Sequence, residues 1–291
     1  MIEHEDSQGK AAILMEALPY VRRFRGSVFV VKYGGSFMDS PDPAVRSRVA
    51  QDLVFLHFVG IKVVVVHGGG KAVTKELETR GLEATFIDGL RVTDAQTIGV
   101  VDEILNDQVN GEVAEFVSSY DCEVRRLPGK EILSCQKLDQ QPDLGFVGEI
   151  SEVHTTPILE ALENGFMPII SSTASDAGGQ CYNVNADTVA AQVAIALGAR
   201  RLVYLSDVPG LLRNPEDPES LLSSLPVNQV DSLKQEGVIA KGMLPKVNSA
   251  VEALDSGVNR VHFIDGRLPH SILLEIFTDQ GIGTEIVHST Q

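Results

Sequence analysis

Two nearly repeated stretches constrain the fold most. Val28-Phe-Val-Val-Lys-Tyr-Gly-Gly-Ser36 is echoed by Lys62-Val-Val-Val-Val-His-Gly-Gly-Gly-Lys71. Each is a run of β-branched and aromatic residues that reads as a strand buried on both faces, and each ends in glycines. Such strands belong to parallel sheets, and open parallel sheets bind ligands beyond the carboxyl ends of their strands. The glycines let the backbone turn sharply and bring bare N–H groups near an anion, so two phosphate-sized concavities are expected on one sheet edge. Lys32 stands where the first strand ends. Alone it is equally a surface lysine on an ordinary strand-to-helix turn; the second glycine strand favours an anion site.

Around these strands the chain alternates strand and helix. Ala11, Leu14, Leu18 and Val21 have helical spacing, with Pro19 expected to kink or break the helix. That segment is either a packed cap or an arm docking on another subunit. Asp42-Pro43 opens a helix closed by Gly60, and Phe86–Thr93 reads as a hairpin turning at Asp88-Gly89. Its returning strand projects Arg91, either as a bidentate grip on a carboxylate or as a solvated arginine. A long helix follows to about Ser118, and 122–127 is a strand. Residues 128–150 are the least readable, with a short strand at Phe146–Ile150. After a helix opened by Thr156-Pro157 and a strand at Met167–Ser171, residues 172–182 read as a loop.

Asn183-Val-Asn-Ala-Asp187 then opens a helix, with more polar side chains than one cap requires. Arg201–Leu205 is a strand with Ser206–Leu212 as the loop at its end, and 214–226 reads as an exposed excursion. Lys246 falls on the first turn of a helix, an unfavourable place for a cation unless an anion is near. Val261–Ile264, Ile272–Phe277 and Thr284–Val287 complete the pattern as strand, helix and strand. The fold class is α/β, a three-layer αβα sandwich around one open, mainly parallel sheet, with lobes dividing near residue 180.

The net charge of −16 over 291 residues argues against nucleic-acid and anionic-membrane partners, which need an extended basic face. No apolar run approaches the roughly 18 residues of a membrane span, and Glu3, Glu5 and Asp6 are unlike a signal peptide, so a cytoplasmic protein is expected. Cys122, Cys135 and Cys181 lack the spacing of a zinc site or disulfide framework and read as reduced thiols.

The chain lacks Gly-x-x-x-x-Gly-Lys-Ser/Thr, Gly-x-Gly-x-x-Gly and Gly-x-Ser-x-Gly, which argues against a P-loop kinase, a dinucleotide enzyme and a serine hydrolase. Two lysines at element ends, paired glycine turns and an acid on a helix start suit phosphoryl transfer, a reaction of positioning and charge neutralisation.

Lys32-Tyr-Gly-Gly, Val66-His-Gly-Gly-Gly70, Asp88-Gly-Leu-Arg-Val-Thr-Asp94, Asn183-Val-Asn-Ala-Asp187, Leu205-Ser-Asp-Val-Pro-Gly-Leu211 and Gly242-Met-Leu-Pro-Lys-Val247 together resemble the N-acetylglutamate kinases of the amino acid kinase superfamily, from about residue 12 to 287. The resemblance implies that Lys32 and Lys246 stabilise the transferring phosphoryl group while Asp187 organises both. Gly34, Gly35 and Gly68 would line the phosphate path; Gly69, Gly70, Arg91 and Asn183 would hold N-acetyl-L-glutamate. The loop carrying Asp207, Gly210 and Leu212 would lie against ATP, with Mg²⁺ held mainly by phosphates and water and no protein metal site.

The chain ends resemble the arginine-inhibited branch, which implies an inhibitor site at Tyr20, His262, Glu275 and Gly281. It also implies a kinked amino-terminal helix (1–25) building a hexamer as a trimer of dimers. Substrate and dimerisation would belong to 26–180, with ATP and arginine binding in 181–291. A PII-type signalling partner enters by the same route. Ser36 and Lys71 depart from the family pattern, as does 122–141, onto which no function is carried. Two alternatives remain: a sister kinase for an acidic derivative such as N-acetyl-aminoadipate, and a non-catalytic regulatory subunit that binds arginine.

Overall fold

A computed structural model of the chain describes residues 2–34, 43–240 and 242–288, with side chains from Ile13 onward except at 43. Gly35, Ser36 and Asp42 lie outside the described residues. Helix α1 (Ile2–Phe24) precedes β1 (Val28–Tyr33); α2 (Pro43–Phe58), β2 (Lys62–His67) and α3 (Gly70–Thr79) follow. The hairpin β3 (Phe86–Ile87) and β4 (Leu90–Arg91) turns at Asp88 and Gly89, both at positive φ. A long helical run comprises α4 (Ala95–Glu103), a π-helical turn (Ile104–Val109) and α5 (Asn110–Ser118). Then come β5 (Val124–Leu127), α6 (Gly129–Ile132), β6 (Leu133–Lys137), β7 (Gly148–Val153), α7 (Thr156–Glu163) and β8 (Met167–Ser171).

A second hairpin, β9 (Thr173–Ser175) and β10 (Cys181–Asn183), leads into α8 (Ala186–Ala196) and β11 (Arg201–Ser206). The chain then runs through β12 (Ser224–Pro226), α9 (Val230–Gln235), α10 (Met243–Asp255), β13 (Arg260–Asp265), α11 (Ser271–Ile276) and β14 (Thr284–Val287).

Eight strands form the main sheet in the order β12-β14-β13-β11-β1-β2-β8-β5. Pairing is parallel throughout except between β13 and β14. The sheet therefore draws strands from both sides of residue 180, and β1 sits between β2 and β11. Alternate residues point to opposite faces. Val30, Val64 and Val66 join a core with α8 and α10, whereas Phe29, Val31, Val63 and Val65 join one with α2, α5 and α11. Helices thus cover both faces, as the unbroken apolar runs predict, and full burial of each valine is worth about 1.5–3 kcal/mol. A four-stranded sheet (β10-β9-β6-β7) stands beside the main one.

Several sequence expectations need correction. Pro19 does not break α1, which continues to Phe24. The distal segment is held by packing, with Phe24 buried and the Tyr20 ring meeting Phe277 edge-on at 6.3 Å. The 172–182 loop is the β9–β10 hairpin, closed by Asp176 Oδ1 accepting from Gly178 N and Gln180 N. The 214–226 excursion returns as β12, an edge strand of the main sheet. Between 128 and 150 the chain makes α6 and β6, and the strand expected at 146–150 runs instead from Gly148 to Val153.

Candidate active site

Asn185 caps α8, its Oδ1 accepting from the backbone N–H of Asp187 (2.8 Å) and Thr188 (3.4 Å). The cap is filled, so the Asp187 carboxylate faces the cleft. There Lys32 Nζ lies 3.0 Å from Oδ1, and Lys246 Nζ donates to Oδ2 at 2.7 Å. Lys32 comes from the carboxyl end of β1 and Lys246 from the first turn of α10, where Asp187 is the anion its position requires. The side chains of Lys32 and Asp187 are only 10% and 9% exposed.

Burial pushes the Lys32 pKa down, with Lys246 acting in the same direction and Asp187 opposing. For Asp187 burial works upward, but the two ammonium groups outweigh it and hold the carboxyl below its ordinary value. The triad carries one net positive charge in a shielded place, which suits it to a phosphoryl group in transfer. At Gly34 a Cβ would lie 2.7 Å from Lys32 Cε, so glycine there lets the lysine fold back over its own strand end.

Beside the triad is a cavity of about 160 Å³ lined by Gly68, Gly69, Gly70, Arg91 and Asn183 among others. Arg91 is buried, which overturns the solvated reading. Its Nη2 donates to Gly70 O (2.7 Å) and Thr74 Oγ1 (2.8 Å), and its guanidinium stands 4.6 Å from the Phe86 ring centroid. Nη1 has no partner among the described residues. A buried, always protonated guanidinium with a spare donor fits a ligand carboxylate. Asn183 Nδ2 donates to Thr93 Oγ1 at 3.3 Å.

Tyr20, His262, Glu275 and Gly281 line a separate cavity of about 300 Å³. It opens near the amino ends of β11 and β13, opposite the sheet edge that carries Lys32. Glu275 Oε1 meets His262 Nδ1 (2.7 Å), and Oε2 accepts from the N–H of Ile282 (2.8 Å) and Gly283 (2.9 Å). Burial works against the carboxylate, yet His262 and these amides hold its pKa below the ordinary value. Both side chains are buried, His262 on β13 and Glu275 on α11, so this glutamate is not a solvated helix residue. Tyr20 hydroxyl donates to Asp279.

Asp207, Gly210 and Leu212 belong to neither cavity lining. They follow β11, which pairs with β1 so that Tyr204 stands beside Lys32. Gly210 has φ 146°, and Thr284 Oγ1 accepts from Leu211 N at 2.9 Å, tying this loop to β14.

Sequence reasoning missed a buried polar group beneath the glycine turn. Asn106 Oδ1 accepts from Ser171 and Thr173 hydroxyls, and its Nδ2 donates to Asp102 (2.6 Å). Asn110, fully buried, reaches His67. Asn106 and Asn110, four apart and so on one face of the helical run, were the available signal.

An open, mainly parallel sheet between two helical layers, with a shielded Lys–Asp–Lys triad at its carboxyl edge, defines a phosphotransferase. The chain belongs to the amino acid kinase family, whose model matches residues 27–265. Acetylglutamate kinase from Syntrophomonas wolfei subsp. wolfei is 45% identical over 281 residues, covering 96% of this chain and 97% of that protein. The crystal structure of N-acetylglutamate synthase from Neisseria gonorrhoeae complexed with coenzyme A and N-acetyl-glutamate superposes with a TM-score of 0.85 at 27% identity, over 97% of this chain and 64% of that one. The same synthase complexed with coenzyme A and L-arginine gives 0.82 at 27% identity, over 96% and 66%. This chain thus spans just under two thirds of the synthase's length.

Proposed function

We propose that this protein is an ATP-dependent kinase that phosphorylates the γ-carboxylate of N-acetyl-L-glutamate, giving N-acetyl-L-glutamyl 5-phosphate, in arginine biosynthesis. The observation that carries the reading is the Asp187 carboxylate bracketed by Lys32 and Lys246 beside the Arg91 cavity. A carboxylate acceptor, with a pKa of about 4.3, is ionised near neutrality and needs no general base. What it needs is relief from repulsion by the γ-phosphate, which the two ammonium groups supply while Asp187 holds them in place. Arg91 grips the α-carboxylate, Gly69, Gly70 and Asn183 complete the substrate seat, and Gly34, Gly35 and Gly68 line the phosphate path. ATP lies against the loop with Asp207, Gly210 and Leu212. Asp187 is already engaged by both lysines, so the donor set fits Mg²⁺ carried mainly by phosphates and water. In this reading 26–180 forms the substrate lobe and 181–291 the nucleotide lobe.

A coupled assay of ADP release tests this directly. Turnover is expected with N-acetylglutamate well above that with glutamate or N-acetyl-aminoadipate. Equal turnover would favour a sister kinase, and an inert protein that still binds arginine would favour a regulatory subunit.

Feedback inhibition by arginine is the second part of the reading, supported by the cavity at His262. His262 Nε2 is buried and lacks a partner among the described residues. Nδ1 donates to Glu275, so in the neutral ring Nε2 presents a lone pair, which is what a donor-only guanidinium needs. Above it, α1 exposes Ile13, Leu14, Met15 and Leu18, an apolar face suited to another subunit in a hexameric trimer of dimers. Arginine inhibition is expected to be sigmoidal, and weaker after removal of residues 1–25; hyperbolic or absent inhibition of the intact enzyme would count against it. Residence in the cytoplasm accompanies this reading; among the described residues no helix is long and apolar enough to cross a membrane.

A further inference from the structure

Three side chains at the carboxyl end of β2 form a hydrogen-bond relay that admits one arrangement. Arg126, on β5, donates from Nε to Asn110 Oδ1 (2.9 Å) and from Nη2 to the carbonyls of Asn106 (2.8 Å) and Asp107 (3.1 Å) in the π turn. A guanidinium only donates, so the atom it meets on Asn110 is the carbonyl oxygen, which settles how the amide faces. Asn110 Nδ2 then donates to Ile169 O (3.0 Å) and to His67 Nε2 (3.0 Å). With Nε2 accepting, the imidazole proton sits on Nδ1, which donates to Gly68 O at 2.8 Å. His67 and Asn110 are both fully buried, and burial pushes the His67 pKa down to about 4, keeping the ring neutral.

The clamped peptide is the first of the glycine turn. Gly68 N donates to Tyr33 O at the end of β1 (3.2 Å), so the residue is held from both β1 and β2. The next residue is fixed by packing, since a Cβ on Gly69 would lie 2.6 Å from Leu105 Cδ2, and Leu105 belongs to the π turn. The relay therefore joins the π turn and edge strand β5 to the backbone that lines the cavity.

We propose that His67 is a positioning residue: its Nδ1–H orients the Gly68 carbonyl, and through it the Gly68–Gly70 turn on which acceptor and transferring phosphoryl group are seated. The proposal rests on the phosphoryl-transfer reading. Misplacing reacting groups by about 1 Å costs on the order of 100-fold in rate, so a loosened turn is read in kcat.

Two substitutions separate positioning from packing. His67→Asn keeps a donor near the Nδ1 position and gives up the reach to Asn110; His67→Gln keeps the reach and gives up the donor to Gly68. With wild type first shown to phosphorylate N-acetylglutamate, His67→Asn is expected to retain kcat within about tenfold and His67→Gln to lose about 100-fold. KM for ATP is expected to stay within about threefold in both. Glutamine fills more of the ring's volume, so a packing role reverses the order, and His67→Gln matching or exceeding His67→Asn overturns the proposal. Should a variant fail to fold, ¹⁵N NMR of the wild-type histidines decides instead. The His67 ring is expected as the neutral Nδ1–H tautomer, unchanged from about pH 8 to about pH 5.5. An Nε2–H tautomer or a titration in that range overturns the proposal. The NMR readout is independent of turnover, so a wild type inactive on N-acetylglutamate would refute the activity without touching the tautomer.

Discussion

Replacing Asp187 with asparagine is expected to lower kcat by about 100- to 1,000-fold, the loss typical of removing one preorganised charge from a reacting centre. The carboxylate is the counter-charge between Lys32 Nζ at 3.0 Å and Lys246 Nζ at 2.7 Å. Without it two ammonium groups face each other in a largely buried site, and breaking such a pair costs about 3–5 kcal/mol. The site escapes part of that cost when a lysine gives up its proton. Burial already lowers the Lys32 pKa and Asp187 is the group that raises it, so the variant's Lys32 pKa falls further. The variant's kcat is therefore expected to rise as pH falls and Lys32 regains its proton. A kcat–pH profile of both proteins checks this, and a variant within threefold of wild type would remove Asp187 from the chemistry.

The second large effect is expected at Arg91. Arg91→Ala should raise KM for N-acetylglutamate about 30-fold or more, the equivalent of about 2 kcal/mol for losing one partner of a buried charged pair. KM for ATP should change little. Arg91 also donates to Gly70 O and Thr74 Oγ1, so the turn loosens and kcat falls as well, by a smaller factor. Arg91→Lys recovers only part of the loss, because an ammonium cannot reproduce the planar fork that bonds Gly70, Thr74 and a carboxylate together. Steady-state kinetics with each substrate varied separates these effects, and an unchanged KM for N-acetylglutamate would locate its carboxylate elsewhere.

The site residues that could be found in the sequence are those whose position is set locally. Lys32 is marked by the end of an apolar run and the glycines after it, Asp187 by surplus polar residues on a helix start, and Lys246 by its unfavourable first-turn place. The central sheet was legible for the same reason, since an apolar run with no alternation has nowhere to go but between two helical layers. Arg91 could be placed on its hairpin, yet its burial depends on α3 folding back to offer Gly70 O and Thr74 Oγ1. The β9–β10 hairpin was hidden because Asp176-Ala-Gly-Gly-Gln180 carries turn chemistry while its strands are only three residues long. His262 and Glu275 looked ordinary because their environment is made by α1, β13 and residues 281–283, segments far apart in the chain. The relay through Arg126, Asn110 and His67 was invisible for the same reason: it joins β5, the helical run and β2.

The π turn at Ile104–Val109 gives the helical run that contains it a reading frame. Its extra residue sets the rotational phase of all that follows in α5, including Asn110. Removing one residue there would let the backbone relax to ordinary α-helix and swing the downstream side chains by about 100° around the axis. Asn110 would leave His67, and Arg126 would lose the amide oxygen it meets at 2.9 Å. Most helices tolerate a changed surface residue better than a changed length; here the length itself carries the instruction.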